Sequence, residues 1–139
     1  MATLRVEGLE ALEEDLRKFG DRADEIGNAM LEAGAEELQE SWKYHIMKSG
    51  HVDSGSMVDS VKASKPKRNR DGGKYVEVFP HGKDKKGVRN AEKAYLLHYG
   101  WGDKTGDHFV DQVEKDAEEP VAEALENVLD EYLWQNVKM

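Results

Sequence analysis

Phe109, Val113, Ala117, Val121, Leu125, Val128 and Tyr132 step along the chain at intervals of four, four, four, four, three and four. An α-helix returns to the same face about every 3.6 residues, so this spacing writes one apolar stripe along a helix. A stripe of that length needs a second apolar element to cover it, which sharply limits the architectures open to 139 residues. Asp107 is placed to cap the start. Pro120 interrupts the stripe and disfavours helical geometry at Glu119. That predicts a kink, or two helices with Pro120 in the first turn of the second. Leu129, Leu133 and Trp134 widen the face near its end and leave surface for a neighbouring subunit.

The second stripe lies near the other end of the sequence. Ile26, Met30, Ala33, Leu38, Trp42 and Ile46 recur at helical spacing, with Glu32, Glu36, Glu37 and Glu40 on the solvated side. Asp21 can cap this helix, which is predicted to reach about Ser49 and Gly50. Gly34 inside it costs about 1 kcal/mol relative to alanine. Ahead of it, residues 3–7 alternate as a short strand and stop at Gly8. Leu9, Leu12, Leu16 and Phe19 then mark a first helix that Gly20 ends.

Between the two stripes the period changes to two. Asp53 or Ser54 can cap a single helical turn, and residues 61–65 read as a strand leading to Pro66. Residues 67–73 are a turn and residues 74–79 the returning strand, which makes a β-hairpin with a basic tip. Residues 83–90 form a second basic loop. Loops of this composition are expected to be mobile until a partner orders them. Residues 91–99 form a short helix running into Tyr95, Tyr99, Gly100, Trp101 and Gly102. Aromatic side chains closed by two glycines predict an anchor with a bend that needs positive φ or close packing, rather than a catalytic loop.

Charge is unevenly spread. The net charge of −9 divides into −7 over residues 1–64, +6 over 65–93 and −8 over 94–139. A basic middle between acidic flanks can steer copies of the chain together head to tail, or touch nucleic acid; the plainer reading is a solvated loop. There is no cysteine, which excludes a disulfide scaffold and thiol chemistry. No basic stretch followed by an apolar run opens the sequence, and no apolar run approaches the roughly 20 residues of a membrane span. A single soluble α+β domain over residues 1–139 is expected, made in a cytoplasm and without a membrane partner.

Candidate chemistry is sparse. Ser54-Gly55-Ser56 lacks the strand–turn–helix setting of a nucleophile and the Lys-Ser/Thr of a phosphate loop. His98, Asp103, Asp107 and His108 are the one His/Asp cluster to weigh as a metal site. Their spacing matches no established ligand pattern, and capping already accounts for Asp107. No metal, cofactor or catalytic residue is therefore assigned. For nucleic acid, the hairpin tip Lys67, Arg68 and Arg70 and the loop Lys83, Lys85, Lys86 and Arg89 could meet phosphates. No groove-entering element accompanies them. Tyr75 and Phe79, at strand spacing, read as core or interface.

The order of these pieces resembles a known family. Ser54, Gly55, Met57, Ser60 and Val61 match a Thr-Gly-x-Leu-x-x-Ser-Ile turn. Tyr95, Tyr99 and Gly100 match an aromatic-x-x-x-Glu-aromatic-Gly-Thr segment, with His98 and Trp101 replacing its Glu and Thr. His108-Phe109-Val110 corresponds to a Pro-Phe-hydrophobic start to the last helix. The chain is similar over nearly its whole length to the tail-completion or head–tail joining proteins of long-tailed phages, the gene-product-ten-like neck and minor tail family of HK-type phages. The resemblance implies a small antiparallel sheet with a protruding basic hairpin, packed against a long N-terminal helix and a C-terminal helix kinked near Pro120. It implies a structural virion protein without turnover, a ring subunit (a hexamer), seated in the neck or tail. Its partners would be further copies, the head connector and the tail-tube protein, with non-specific contact to phage DNA. Lys67, Arg68, Arg70, Lys83, Lys85, Lys86, Arg89, Tyr95, Tyr99, Trp101 and Phe109 are the expected surface for self-assembly or for lining the DNA channel. The alternatives are a small nucleic-acid-binding protein using the hairpin, and a metal-dependent hydrolase at His98, Asp103 and His108.

Overall fold

The computed structural model describes residues 3–5, 23–51, 55–68, 70 and 73–137. The expected helix over Leu9, Leu12, Leu16 and Phe19, its Gly8 and Gly20 boundaries, and the caps at Asp21, Asp53 and Ser54 lie outside the described residues. In chain order the elements are β1 (Thr3–Arg5), α1 (Ala23–Lys48), α2 (Ser56–Asp59), β2 (Val61–Ala63) and β3 (Lys67–Arg68). Then follow β4 (Lys74–Pro80), α3 (Asn90–Tyr99), β5 (Gly100–Trp101), β6 (Lys104–Thr105) and α4 (Phe109–Val137). The fold is α+β, as the sequence indicates.

The two apolar stripes cover each other. Ile26 and Met30 of α1 pack with Leu125, Val128, Leu129, Tyr132 and Leu133 of α4. Farther along α1, Leu38, Trp42 and Ile46 cluster with Phe109, Val113, Ala117 and Val121. The helices thus run antiparallel. Trp42, wholly buried, meets Phe109 edge-on at 5.9 Å. Each large side chain so buried contributes about 1.5–3 kcal/mol relative to exposure. Leu31 and Ala35 are buried where Ala33, expected on the stripe, is only half-buried. The helical period carries Leu31, Ala35, Leu38 and Trp42 onto one face and turns Ala33 aside.

The ends of α1 follow local chemistry. Asp24 and Glu25 occupy its first turn, where the helix dipole favours carboxylates. At the other end the His51 N–H donates to the Ile46 carbonyl and the Gly50 N–H to the Met47 carbonyl. Gly50 there has φ +75°, the left-handed residue of a Schellman stop.

α4 runs unbroken through Pro120, so the two-helix alternative is not adopted. Proline lacks the N–H that the Asp116 carbonyl would accept. Packing carries the helix across the gap: Ala117 and Val121 stay buried, and the Asp116 carboxylate is 2.7 Å from His45 Nε2 on α1.

β4 is the centre of the sheet, with β1 along one edge and β2 and β3 along the other, all antiparallel. Val76 and Val78 point into the core shared with α1, while Tyr75, Glu77 and Phe79 on the opposite face are half-buried. The expected hairpin is present, with one correction. Lys67 and Arg68 are not in the turn; they form β3, in register with Tyr75 and Lys74. Among the described residues no helix is long and apolar enough to cross a membrane.

Candidate functional site

The basic hairpin does not present a free cationic finger. Arg68 Nη2 lies 2.9 Å and Lys74 Nζ 3.0 Å from Asp24 Oδ1, in the first turn of α1. Lys74 is buried and also donates to Asn28 Oδ1 at 3.2 Å. Lys67 faces Glu77 at 3.6 Å. Arg68 and Lys74 thus tie the hairpin to α1, and Lys67 pairs across its two strands. Arg70 remains exposed.

The second basic loop is the opposite case. Asp84 is its internal organiser: Oδ1 accepts the N–H groups of Lys86 and Val88, both at 2.9 Å, and Oδ2 pairs with Lys93 of α3. Those contacts hold the Asp84 carboxyl below its usual pKa, the Lys93 hydrogen bond first. The Asp84 N–H donates to the Val88 carbonyl, Lys83 bridges to Arg89, and the Asn90 N–H donates to the Gly82 carbonyl. This loop is closed by its own backbone around one aspartate. Lys83, Lys85, Lys86 and Arg89 radiate from it into solvent, and among the described residues none has an ion-pair partner.

At the far end of α3 the aromatic anchor faces outward. Tyr95, Tyr99 and Trp101 are 55%, 57% and 46% exposed, whereas Ala94 and His98 are buried. Tyr95 and Tyr99, four residues apart, bring their rings to 4.8 Å, and Lys104 Nζ lies 5.0 Å from the Trp101 ring. Phe109 is not on this surface; it belongs to the core. The bend itself is as the glycines require. Gly100 has φ +89°, and a Cβ there would fall on the Lys104 carbonyl oxygen. A Cβ on Gly106 would fall on the His98 carbonyl oxygen. That close approach lets the Asp107 and His108 N–H groups cap the Leu97 and His98 carbonyls at 3.2 and 3.1 Å.

His98 is the residue whose role the sequence hides. Its Nδ1 accepts the Val110 N–H at 3.2 Å, which ties α3 to the first turn of α4. Burial lowers its pKa, because removal from water disfavours the imidazolium. A helical spacing that reads only apolar residues passes over it.

Among the described residues His98, His108 and Asp111 are the group that could approach a cation. The sequence-based set differs: Asp111 takes the place of Asp103 and Asp107. Asp107 Oδ2 lies 2.6 Å from His51 Nε2, and its Oδ1 accepts the Phe109 N–H, the expected cap. The donor chemistry of the remaining three fits a metal poorly. A metal-bound histidine ordinarily donates its second ring N–H. His98 Nδ1 is an acceptor here, so in the neutral ring the proton sits on Nε2, the nitrogen that faces Asp111 at 3.9 Å. A metal at Nε2 would have to displace that proton. Ser56, the other chemical candidate, accepts from Asn90 Nδ2 at 3.3 Å.

Between α3 and α4 the surface dips into a groove of about 390 Å³. Tyr95 and Tyr99 form one wall, Asp111 and Glu114 the other, with His98 and Val110 between them.

A family model described as "Bacteriophage HK97-gp10, putative tail-component" matches residues 10–100. No curated protein and no solved structure matched the chain. The matched span takes in α1, the hairpin, the Asp84 loop and α3, and ends at Gly100, where the bend begins. A structural protein of the virion is what such a component is. On a match over well over half of its length, the chain belongs to the HK97-gp10-like family of bacteriophage tail components.

Proposed function

We propose that this tail component is a non-enzymatic ring subunit seated at the junction between head and tail. Copies of the chain would contact one another head to tail, with the head connector and the tail-tube protein on either side. One observation carries the reading: the fold separates charge of opposite sign into two bodies. The Asp84 loop displays four cations with no partner among the described residues. α4 carries nine carboxylates against the single Lys115. Complementary patches at different places on one surface make a heterologous contact, which closes into a ring when the rotation per subunit allows it.

The nucleic-acid alternative has less free charge to rest on at the hairpin. Arg68 and Lys67 pair with Asp24 and Glu77 within the chain, which leaves less positive charge for phosphates. The Asp84 loop could still face DNA inside an assembled channel.

Phage lacking this chain, complemented in trans by the wild-type or by the Lys85→Glu/Lys86→Glu double variant, tests the reading. We expect unjoined heads and tails without the protein, and joining restored by the wild-type alone. Normal joining in its absence would overturn the proposal.

A further inference from the structure

We propose that the Tyr95/Tyr99–Asp111/Glu114 groove is the socket for a lysine or arginine from the Asp84 loop of a second copy. This rests on the ring reading above and names the contact that would build it. The walls have complementary chemistry for one kind of guest. Two exposed aromatic rings and two carboxylates line it together, the combination that attracts an ammonium or guanidinium. Asp111 has a 69% exposed side chain and, among the described residues, only long ion-pair approaches, 3.9 Å to His98 and 4.0 Å to His108. Glu114 is exposed and has no ion-pair partner among the described residues. The floor does not repel a cation, because burial keeps His98 in its uncharged form.

The guest is fixed by what the same chain leaves unsatisfied. Lys83, Lys85, Lys86 and Arg89 are held out on a loop whose shape Asp84 has already set, so little ordering entropy is lost on docking. The loop enters α3 at Asn90 and the groove lies beside Tyr95 and Tyr99. At about 1.5 Å of rise per residue, Tyr95 and Tyr99 lie roughly 8 and 14 Å along α3 from the point where the loop enters, and within one copy none of the four cations pairs with Asp111 or Glu114 among the described residues. That placement favours a contact in trans. Each copy then offers one loop and one groove, and both are used up when a ring closes.

Sedimentation velocity of the full chain at low salt tests this with four variants. Tyr99→Leu keeps an apolar wall but removes the aromatic face, and should weaken self-association about five- to thirtyfold; Tyr99→Phe should not. Glu114→Lys and Lys86→Glu should each weaken it by about tenfold or more, and mixing the two should restore association between them. Circular dichroism melts of each variant confirm that the exposed substitutions leave the fold intact. Association that is unchanged in Tyr99→Leu and Glu114→Lys overturns the socket and leaves the ring standing. A wild-type chain that stays monomeric alone and with tail-tube protein overturns both.

Discussion

His98 shows how one buried side chain sets a pH dependence. Its pKa is lowered by burial, so unfolding raises it toward the ordinary 6.5. The unfolded chain therefore binds more protons in this range, and stability is complete above about pH 6.5 and lost as pH falls toward the folded pKa. We expect the urea midpoint to drop between about pH 7 and 5, and a His98→Asn variant to lose that part of the slope. Other histidines contribute alike to both proteins, so the difference isolates this ring. At Asp84 the prediction concerns order rather than charge. Replacing it with alanine removes the acceptor for the Lys86 and Val88 N–H groups. Hydrogen exchange at those two amides should accelerate well beyond the change elsewhere, while α1 and α4 stay protected.

At the scale of elements, much was legible. The apolar periods of α1 and α4, the glycine bend after Tyr99 and the Asp107 cap each followed from a local rule that the structure obeys. What escaped detection depended on contacts between distant positions. Arg68 read as part of a basic tip because Asp24, 44 residues away, is invisible to local spacing. Composition reports the charge of the Asp84 loop but not the carboxylate turned inward onto two backbone amides. The exposure of the aromatic trio, expected on an interaction surface, follows from the helical phase of α3, which hands the inner face to Ala94 and His98; Phe109, expected with them, is core instead. Two substitutions test the junctions. Gly106→Ala places a methyl on the His98 carbonyl and should cost about 1–3 kcal/mol in chemical denaturation. Pro120→Ala restores an N–H facing the Asp116 carbonyl and relieves a helix-interior proline. It should raise the melting temperature, against a penalty for proline of up to about 3 kcal/mol.

For the molecule as a whole, the charge map decides its behaviour in solution. With a net charge of −9, copies repel at long range and attract only where a cationic loop meets an acidic helix. Raising the salt from about 0.05 to 0.5 M shortens the Debye length below 10 Å and should slow association and lower its affinity by more than tenfold. A purely apolar interface would hold or strengthen instead, and light scattering across that salt series distinguishes the two. The antiparallel seating of α1 on α4 has a consequence for biosynthesis. The residues that cover Trp42, Phe109 and those after it, are translated long after Trp42 itself, so a nascent chain carries its sticky rod uncovered while most of the polypeptide is being made. Chaperone demand during translation, and ready aggregation of truncation products ending before Phe109, are built into the order in which the ribosome delivers the two halves.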